Sequence, residues 1–158
     1  MKGKLQKYSF LESKAKIEYF CAYQERCHSE VSKKLYDWGL APDQVDALLA
    51  DLIQNNFLNE GRFAESYVSG KFRMKKWGRN KIRLHLKQKK VNEYSIKKAL
   101  ESIDDEEYLE CLELLIQKKY KEAKGNKWEK RQKTYSFLVH KGYESSVVQD
   151  ALDRLISL

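Results

Sequence analysis

The sequence predicts an all-α protein of three tandem three-helix repeats that form an elongated, curved helical solenoid. Apolar residues recur at intervals of three and four positions, and only one proline and seven glycines interrupt the 158 residues. This spacing is typical of amphipathic helices. A mean hydropathy of -0.74 with 34% charged residues leaves little apolar material for one thick core, so we expect a thin architecture.

A degenerate apolar pattern occurs three times and defines the repeats. The pattern stays apolar after a shift of 51 residues (Leu35 to Leu86), and after a further shift of 52 (Leu86 to Leu138) only Thr134 departs from it. The three copies are Val31, Leu35, Leu40, Val45, Leu48, Leu49 and Leu52; Ile82, Leu86, Val91, Ile96, Ala99, Leu100 and Ile103; and Thr134, Leu138, Tyr143, Val148, Ala151, Leu152 and Leu155. We therefore expect an N-terminal tail over 1–12 and repeats over 13–58, 59–103 and 104–158.

Turn and cap residues predict where the helices begin and end. The second helix of each repeat is expected to end near Trp38, Lys89 or Lys141, and the third to begin about four residues later. Gly39 and Gly142 suit a left-handed helix stop, and Pro42 suits the first turn of a helix. Asn59 and Asp104 are the N-caps that we expect at the two repeat boundaries.

The charge of the chain is concentrated in one basic stretch. A net charge of +8 favours polyanions or acidic protein surfaces as partners. Between residues 71 and 90 there is no Asp or Glu, and we predict that the cations of this stretch contact DNA or a DNA-containing filament. They are Lys71, Arg73, Lys75, Lys76, Arg79, Lys81, Arg83, Lys87 and Lys90. On a helix that starts near Gly78, the four-residue spacing places Arg79, Arg83, Lys87 and Lys90 in one stripe.

A second basic cluster lies at the equivalent place in the third repeat, where Glu122 and Glu129 interrupt it. Its predicted contact residues are Lys127, Lys130 and Arg131. Trp77 and Trp128 lie beside the two clusters, where stacking on nucleic-acid bases is one interpretation. The helical spacing of Trp128 from Tyr135 favours core packing instead.

The sequence contains no pattern that predicts catalysis or a cofactor. There is no glycine-rich phosphate loop, paired-cysteine clamp or His-Glu-x-x-His, so we predict no catalytic, cofactor-binding or metal site and no enzymatic activity. Cys27 beside His28 permits a thiol-nucleophile hypothesis, but adjacent helical side chains point about 100° apart. The three cysteines are interpreted as core residues of a protein in a reducing compartment. The sequence shows no signal-peptide core and no membrane span, so we expect a cytoplasmic protein.

Two segments near the middle of the chain carry a recognisable motif. They are Leu58-Asn59-Glu60-Gly61-Arg62-Phe63-Ala64-Glu65-Ser66-Tyr67-Val68 and Gly78-Arg79-Asn80-Lys81-Ile82-Arg83-Leu84-His85-Leu86. In this order they resemble the RecX family of RecA regulators. The signature positions are Arg62, Phe63, Ala64, Tyr67, Gly78, Ile82 and Leu86. The resemblance runs from about Ser13 to the C-terminus. His85 stands where a Glu is usual, and Lys89-Lys90 replaces the usual Lys-Gly, which puts that turn in doubt.

The resemblance implies a non-enzymatic inhibitor of the RecA recombinase. Proteins of this kind bind the groove of the RecA-DNA filament and limit filament growth, strand exchange and the coprotease activity of the SOS response. We expect a monomer whose partners are the RecA filament and single- or double-stranded DNA, bound without sequence preference.

Two other functions remain open from the sequence. One is a stand-alone helix-turn-helix-like DNA-binding protein, although third helices that start with acids such as Asp43 and Asp46 would repel phosphate. The other is a structural scaffold that makes no contact with nucleic acid.

Overall fold

The computed structural model describes residues 5–156, and within them the chain is helical without any strand. The helices are α1 (Phe10–Tyr23), α2 (His28–Asp37), α3 (Pro42–Gln54), α4 (Glu60–Lys75), α5 (Arg79–Gln88), α6 (Glu93–Glu101), α7 (Asp105–Glu122), α8 (Lys127–His140) and α9 (Ser145–Leu155). The predicted all-α fold of tandem three-helix units is confirmed. Over the same residues, no helix combines the length and the hydrophobicity that a membrane span requires.

Local capping interactions fix the starts of the helices. The Asn59 side chain accepts a hydrogen bond from the Arg62 amide at 2.9 Å, and the Asp104 carboxylate accepts one from the Glu107 amide at 2.9 Å, as predicted. Helix α1 begins at Phe10, inside the segment that the sequence predicted as a tail. Its N-cap is Ser9, whose side chain and backbone exchange hydrogen bonds with Glu12.

The turns after the second helices use the left-handed backbone region. Gly39 and Gly142 have φ values of 84° and 108°, as their positions predicted. Lys90 occupies the same place after α5 with φ 61°, although it is not glycine. The turn keeps its hydrogen bonds, from the Lys90 amide to Lys87 at 2.9 Å and from the Val91 amide to Leu86 at 3.1 Å. The departure at Lys90 therefore leaves the turn intact, at a local cost of about 1 kcal/mol.

The thrice-repeated apolar pattern is the core of the molecule. All of its positions are buried except Leu49 and Leu155, which are half-buried. Thr134, the one polar member, is fully buried, and its hydroxyl donates to the Lys130 carbonyl at 2.8 Å. A buried hydroxyl that is hydrogen-bonded avoids most of the desolvation penalty, which explains why the pattern tolerates a threonine there.

The chain divides into two compact units that do not coincide with the repeats. Unit 1 contains the chain up to Ser66 together with Leu86–Ile96, and unit 2 contains Tyr67–His85 together with the chain from Lys97 onward. The middle three-helix repeat is therefore shared, since α4, α5 and α6 each contribute residues to both units.

Candidate nucleic-acid interface

The predicted basic stretch is distributed over both compact units. Its members from 71 to 83 belong to unit 2, and Lys87 and Lys90 belong to unit 1. Lys75, Lys76 and Lys90 are exposed, whereas Arg83 on α5 is half-buried. The cations of the stretch therefore lie in different environments.

Trp77 is the centre of a cationic and aromatic cluster in unit 2. The ammonium nitrogens of Lys71 and Lys81 lie 4.9 Å and 4.5 Å from the centroid of its half-buried ring. The His85 ring lies beside it, with 4.6 Å between the centroids. Neither Lys71 nor Lys81 forms an ion pair with any part of the chain that the structure describes. We call these four residues the Trp77 cluster.

Arg79 has a different environment, although it belongs to the same basic stretch. Its guanidinium forms ion pairs with Asp105 at 2.8 Å and Glu144 at 3.3 Å, and it stacks on the Tyr108 ring at 3.8 Å. The Tyr108 hydroxyl donates a short hydrogen bond to Glu144, and it accepts one from the Arg79 amide at 3.1 Å. These four residues form the Arg79 network. Two carboxylates offset the charge of Arg79, and its side chain is 23% exposed.

Burial controls the chemistry of the Arg79 network. It raises the pKa of the Tyr108 hydroxyl far above the usual value of 10.0, and the hydrogen bond to Glu144 raises it further. The neighbouring Tyr143 also has a raised pKa because it is buried. Both hydroxyls are therefore neutral hydrogen-bond donors at physiological pH. Tyr143 donates to the Lys76 carbonyl at 2.9 Å, which ties the end of α4 to the turn before α9.

Close backbone packing positions the start of α5. The Gly78 amide donates to the Lys141 carbonyl at 3.0 Å, and the Asn80 amide donates to the Gly142 carbonyl at 2.9 Å. A Cβ atom on Gly78 would overlap the backbone of Gly142 and Tyr143. Gly78 thus allows the α8–α9 turn to approach α5, and it holds Arg79 beside its acidic partners.

Two further cations of the stretch, Arg73 and Lys87, form ion pairs at the surface. Arg73 lies 3.9 Å from Glu107, with 67% of its side chain exposed. Lys87, in unit 1, lies 3.1 Å from Glu93 across two exposed side chains. Exposed ion pairs of this kind contribute little to stability.

The second basic cluster contains one anchored residue. Arg131 forms an ion pair with Asp153 at 2.6 Å and is 14% exposed, so much of its charge is used within the fold. Lys130 lies over the Tyr120 ring at 4.5 Å, and Lys127 is exposed at the start of α8.

The core position expected for Trp128 is wrong, since its side chain is 67% exposed. Trp128 is the second residue of α8 and therefore lies at the end of that helix. The helical spacing correctly predicted that Leu138 is buried in the core. It could not show that the first turn of α8 leaves Trp128 exposed.

A second contact between cations and an aromatic ring, at Phe137, was not predicted from the sequence. The ammonium groups of Lys119 and Lys141 lie 4.6 Å and 5.6 Å from its ring centroid. Phe137 is partly exposed, and with Lys133 it lines a shallow pocket of about 440 Å³. The sequence did contain a pattern that predicts this contact. Residues four apart share one face of a helix, and Lys133, Phe137 and Lys141 have that spacing.

Cys27 lacks the properties of a nucleophile. It is fully buried, and burial raises the pKa of its thiol, which disfavours the thiolate at neutral pH. The His28 Nδ1 atom lies 2.9 Å from the Glu60 carboxylate, and the Cys27 thiol donates to the Glu30 carboxylate at 3.3 Å. Cys21 is also buried, with its pKa raised to about 11 by burial, whereas Cys111 is half-buried.

The signature positions are mostly parts of the packed interior. Phe63, Ala64, Ile82 and Leu86 are buried. Arg62 is bound at 2.9 Å both to the Glu25 carboxylate and to the Asn56 side chain, and it also donates to the Asn56 carbonyl. Tyr67 is half-buried on α4, with the Lys71 ammonium 5.4 Å from its ring.

Two parts of the chain match known three-helix domains. Residues 59–100 match the second three-helix domain of RecX, and residues 105–152 match the third. A regulatory protein RecX of Chlorobium phaeobacteroides is 32% identical over 133 residues, which are 83% of this chain and 86% of that protein. One from Clostridium perfringens is 32% identical over 133 residues, but the match spans 62% of its length.

Solved structures show the same fold. The crystal structure of RecX from Lactobacillus salivarius superposes with a TM-score of 0.85 at 22% identity, covering 94% of this chain and 97% of that one. A second crystal structure, of a regulatory protein RecX, gives a TM-score of 0.83 at 26% identity and covers 91% and 73% of the two chains.

Proposed function

This chain belongs to the RecX family of regulatory proteins, and we propose that it inhibits the RecA recombinase by binding the RecA-DNA filament. In this proposal it limits filament growth, strand exchange and coprotease activity without catalysing a reaction. It acts in the cytoplasm as a monomer. The Trp77 cluster contacts the DNA, and the exposed lysines at the end of α4 extend that contact along the phosphate backbone.

The observation that carries the proposal is the environment of Lys71 and Lys81. Both ammonium groups lie against Trp77 without an acidic partner among the residues that the structure describes. A phosphate backbone supplies the missing negative charge, and binding it releases counterions from the DNA. Contacts to phosphates carry no sequence information, so the expected binding is independent of sequence.

The Arg79 network supports the proposal indirectly. It uses Arg79 to hold α5 against the turn between α8 and α9, which fixes Lys81 two residues further along the same helix. A cationic side chain on a rigid helix loses less freedom on binding than one on a mobile loop.

The alternative of a base-reading helix-turn-helix protein is disfavoured by the third helices. At the start of α3, the Gln44 side chain accepts a hydrogen bond from the Ala41 amide at 3.0 Å. Before α6, the Asn92 side chain accepts one from the Ser95 amide at 2.8 Å, and at α9 the Ser145 hydroxyl bonds to Tyr135 at 2.6 Å. Gln44 and Asn92 thus cap their own helices, and Ser145 is bound to α8, so these polar groups are engaged within the fold and not presented to a base edge.

The test is an inhibition assay with RecA filaments on single-stranded DNA. The unmodified chain should reduce ATP hydrolysis and strand exchange at stoichiometric amounts. The Lys71→Ala/Lys81→Ala variant should bind about tenfold more weakly at moderate salt, and the slope of log affinity against log salt should fall by about 0.7 per lost phosphate contact on single strands.

The matched control is Lys33→Ala/Lys97→Ala, which removes the same charge from exposed positions on α2 and α6. It should inhibit like the unmodified chain. Equal losses in both variants would reduce the effect to net charge, and an absence of inhibition by the unmodified chain would refute the proposal.

A further inference from the structure

A groove between α1 and α2 of unit 1 combines exposed aromatic rings with cations. It has a volume of about 710 Å³, and the segment before α1 also lines it. Tyr8, Tyr19, Phe20, Tyr23 and Trp38 supply its rings, and Lys7, Lys16, Arg26 and Lys34 supply its cations. No carboxylate lines it among the described residues. We call this surface the α1–α2 groove.

The two tyrosines on α1 are the exposed part of this groove. Tyr19 and Tyr23 are each 72% exposed, one helical turn apart, with 6.5 Å between ring centroids and 33° between ring planes. Large aromatic side chains left in water at successive turns carry a hydrophobic cost that a stacked partner removes. Their spacing is close to two base-stacking steps of about 3.4 Å each.

The other rings of the groove are packed and hold its cations in place. The Tyr8 ring meets Trp38 edge to face at 5.4 Å, and the Lys7 amide donates to the Trp38 carbonyl at 2.8 Å. The Lys16 ammonium lies 4.6 Å from the Tyr8 ring. The wall of the groove that carries these charges is therefore built by tertiary contacts.

Arg26 is held in the same way at the other side. Its guanidinium lies 3.7 Å from the Phe20 ring centroid, and its Nε donates to the Phe20 carbonyl at 3.0 Å. The Lys34 ammonium, from α2, lies 5.4 Å from the same ring. Cations therefore line the groove from both helices, with the tyrosines on α1 beside them.

We infer that the α1–α2 groove binds a short single-stranded segment of nucleic acid, with bases stacked on Tyr19 and Tyr23 and phosphates at Lys16, Arg26 and Lys34. From Lys16 to Tyr23 the helix rises by about 10 Å, the length of about three stacked nucleotides. Aromatic faces beside a cationic groove are the general means of binding single strands without sequence preference. This site is separate from the Trp77 cluster and does not require RecA.

A duplex or an acidic peptide would match fewer features of the α1–α2 groove than a single strand does. A duplex hides the faces of its bases, so it would leave both tyrosines without a stacking partner. An acidic peptide would neutralise the cations but has no series of flat rings to match the tyrosine spacing. A single strand matches both features.

The test is the fluorescence anisotropy of labelled oligonucleotides with the full chain at low salt. A labelled oligo(dT) of 12 nucleotides should bind Tyr19→Ala/Tyr23→Ala at least tenfold more weakly than the unmodified chain. Tyr19→Phe/Tyr23→Phe should bind within about twofold of the unmodified chain, because the rings are retained. The matched control is Tyr94→Ala, which removes a tyrosine that is 73% exposed on α6.

Three further probes identify the ligand. A 12-base-pair duplex and an abasic strand of the same length should show no dependence on Tyr19 and Tyr23. A polyglutamate peptide of 12 residues should compete poorly with oligo(dT). Circular dichroism should show unchanged helix content for each variant, as expected for tyrosines that are largely in solvent.

The inference is overturned if the alanine pair binds oligo(dT) as the Tyr94→Ala control does, if the abasic strand binds as tightly as oligo(dT), or if polyglutamate is the better competitor. The last result would assign the groove to an acidic protein partner. Repeating the series in the Lys71→Ala/Lys81→Ala background removes the contribution of the Trp77 cluster. The tyrosine dependence should persist there, so failure of the proposed filament contact and failure of this site give different results.

Discussion

Arg79 and Lys81 are two residues apart on α5, yet the fold uses them differently. Arg79 contacts two carboxylates and a buried tyrosine ring, and its charge is offset within unit 2. The Lys81 ammonium lies over the face of the Trp77 ring, and no acidic group among the described residues offsets its charge. Both were predicted as contacts on the same grounds, because a run of positive charge does not reveal where the acids of other helices lie.

The difference shows that a cationic residue is available to a partner only if no acidic residue within the fold already forms an ion pair with it. Removing Arg79 leaves Glu144 partly buried without its ion pair, which costs stability. Removing Lys81 takes one ammonium group away from the Trp77 ring and leaves no acidic group without its ion pair. The two residues should therefore respond oppositely in measurements of stability and of binding.

The largest effect is expected where the Arg79 network depends on close packing. In Gly78→Ala the new Cβ overlaps the Gly142 backbone, which has little room to move, so the free energy of unfolding should fall by about 3 kcal/mol. Urea denaturation followed by circular dichroism measures this.

Gly70→Ala is the matched control for that variant. Gly70 lies inside α4 and a Cβ there meets no atom within 4 Å, so alanine should increase stability by about 0.5 to 1 kcal/mol. Similar losses in the two variants would show that the close approach at Gly78 does not matter.

A smaller effect separates Arg79 from Lys81 directly. Arg79→Ala should destabilise the chain by about 2 kcal/mol, because it leaves the partly buried Glu144 without its ion pair and removes the cation stacked on the Tyr108 ring. Lys81→Ala should change stability by less than about 0.5 kcal/mol but weaken DNA binding. Denaturation and anisotropy on the same two variants check both halves of the prediction. Equal stability losses would contradict the contrast drawn between the two residues.

The smallest expected effect is the dependence of the free energy of unfolding on pH above 10, to which the Arg79 network contributes through Tyr108. The raised pKa of Tyr108 means that its neutral form stabilises the fold below pH 10, where the unfolded tyrosine is also protonated. As pH rises above 10 toward the folded pKa, the unfolded chain loses this proton first, so stability falls by about 1 kcal/mol between pH 10 and pH 11. In Tyr108→Phe this part of the decline should disappear, as measured by urea midpoints over that range.

Tyr94→Phe is the control, at a tyrosine that is 73% exposed, and its stability should decline as steeply as that of the unmodified chain between pH 10 and pH 11. An equally steep decline in Tyr108→Phe would show that the ionisation of Tyr108 is not linked to unfolding.

Much of the fold followed from the sequence because helix formation is governed by local interactions. The caps at Asn59 and Asp104, the stops at Gly39 and Gly142 and the three copies of the apolar pattern each depend on residues a few positions apart. Family membership rested on equally local motifs. The exposed Trp128 shows the limit of this reasoning, because helical spacing gives the face of a side chain and not the depth of its helix in the core.

The sequence alone thus determined the helices, their repeats and the positions of the buried apolar residues, because these depend on spacing along the chain. Only the tertiary structure decided which cations lack an acidic partner and that the middle repeat is shared between two compact units. It also decided that Lys7 and Tyr8, before α1, line an aromatic groove with α1 and α2. The physical reason is that ion pairing and ring packing join residues far apart in sequence, such as Arg79 with Glu144 and Tyr8 with Trp38. Composition and periodicity carry no record of these pairings.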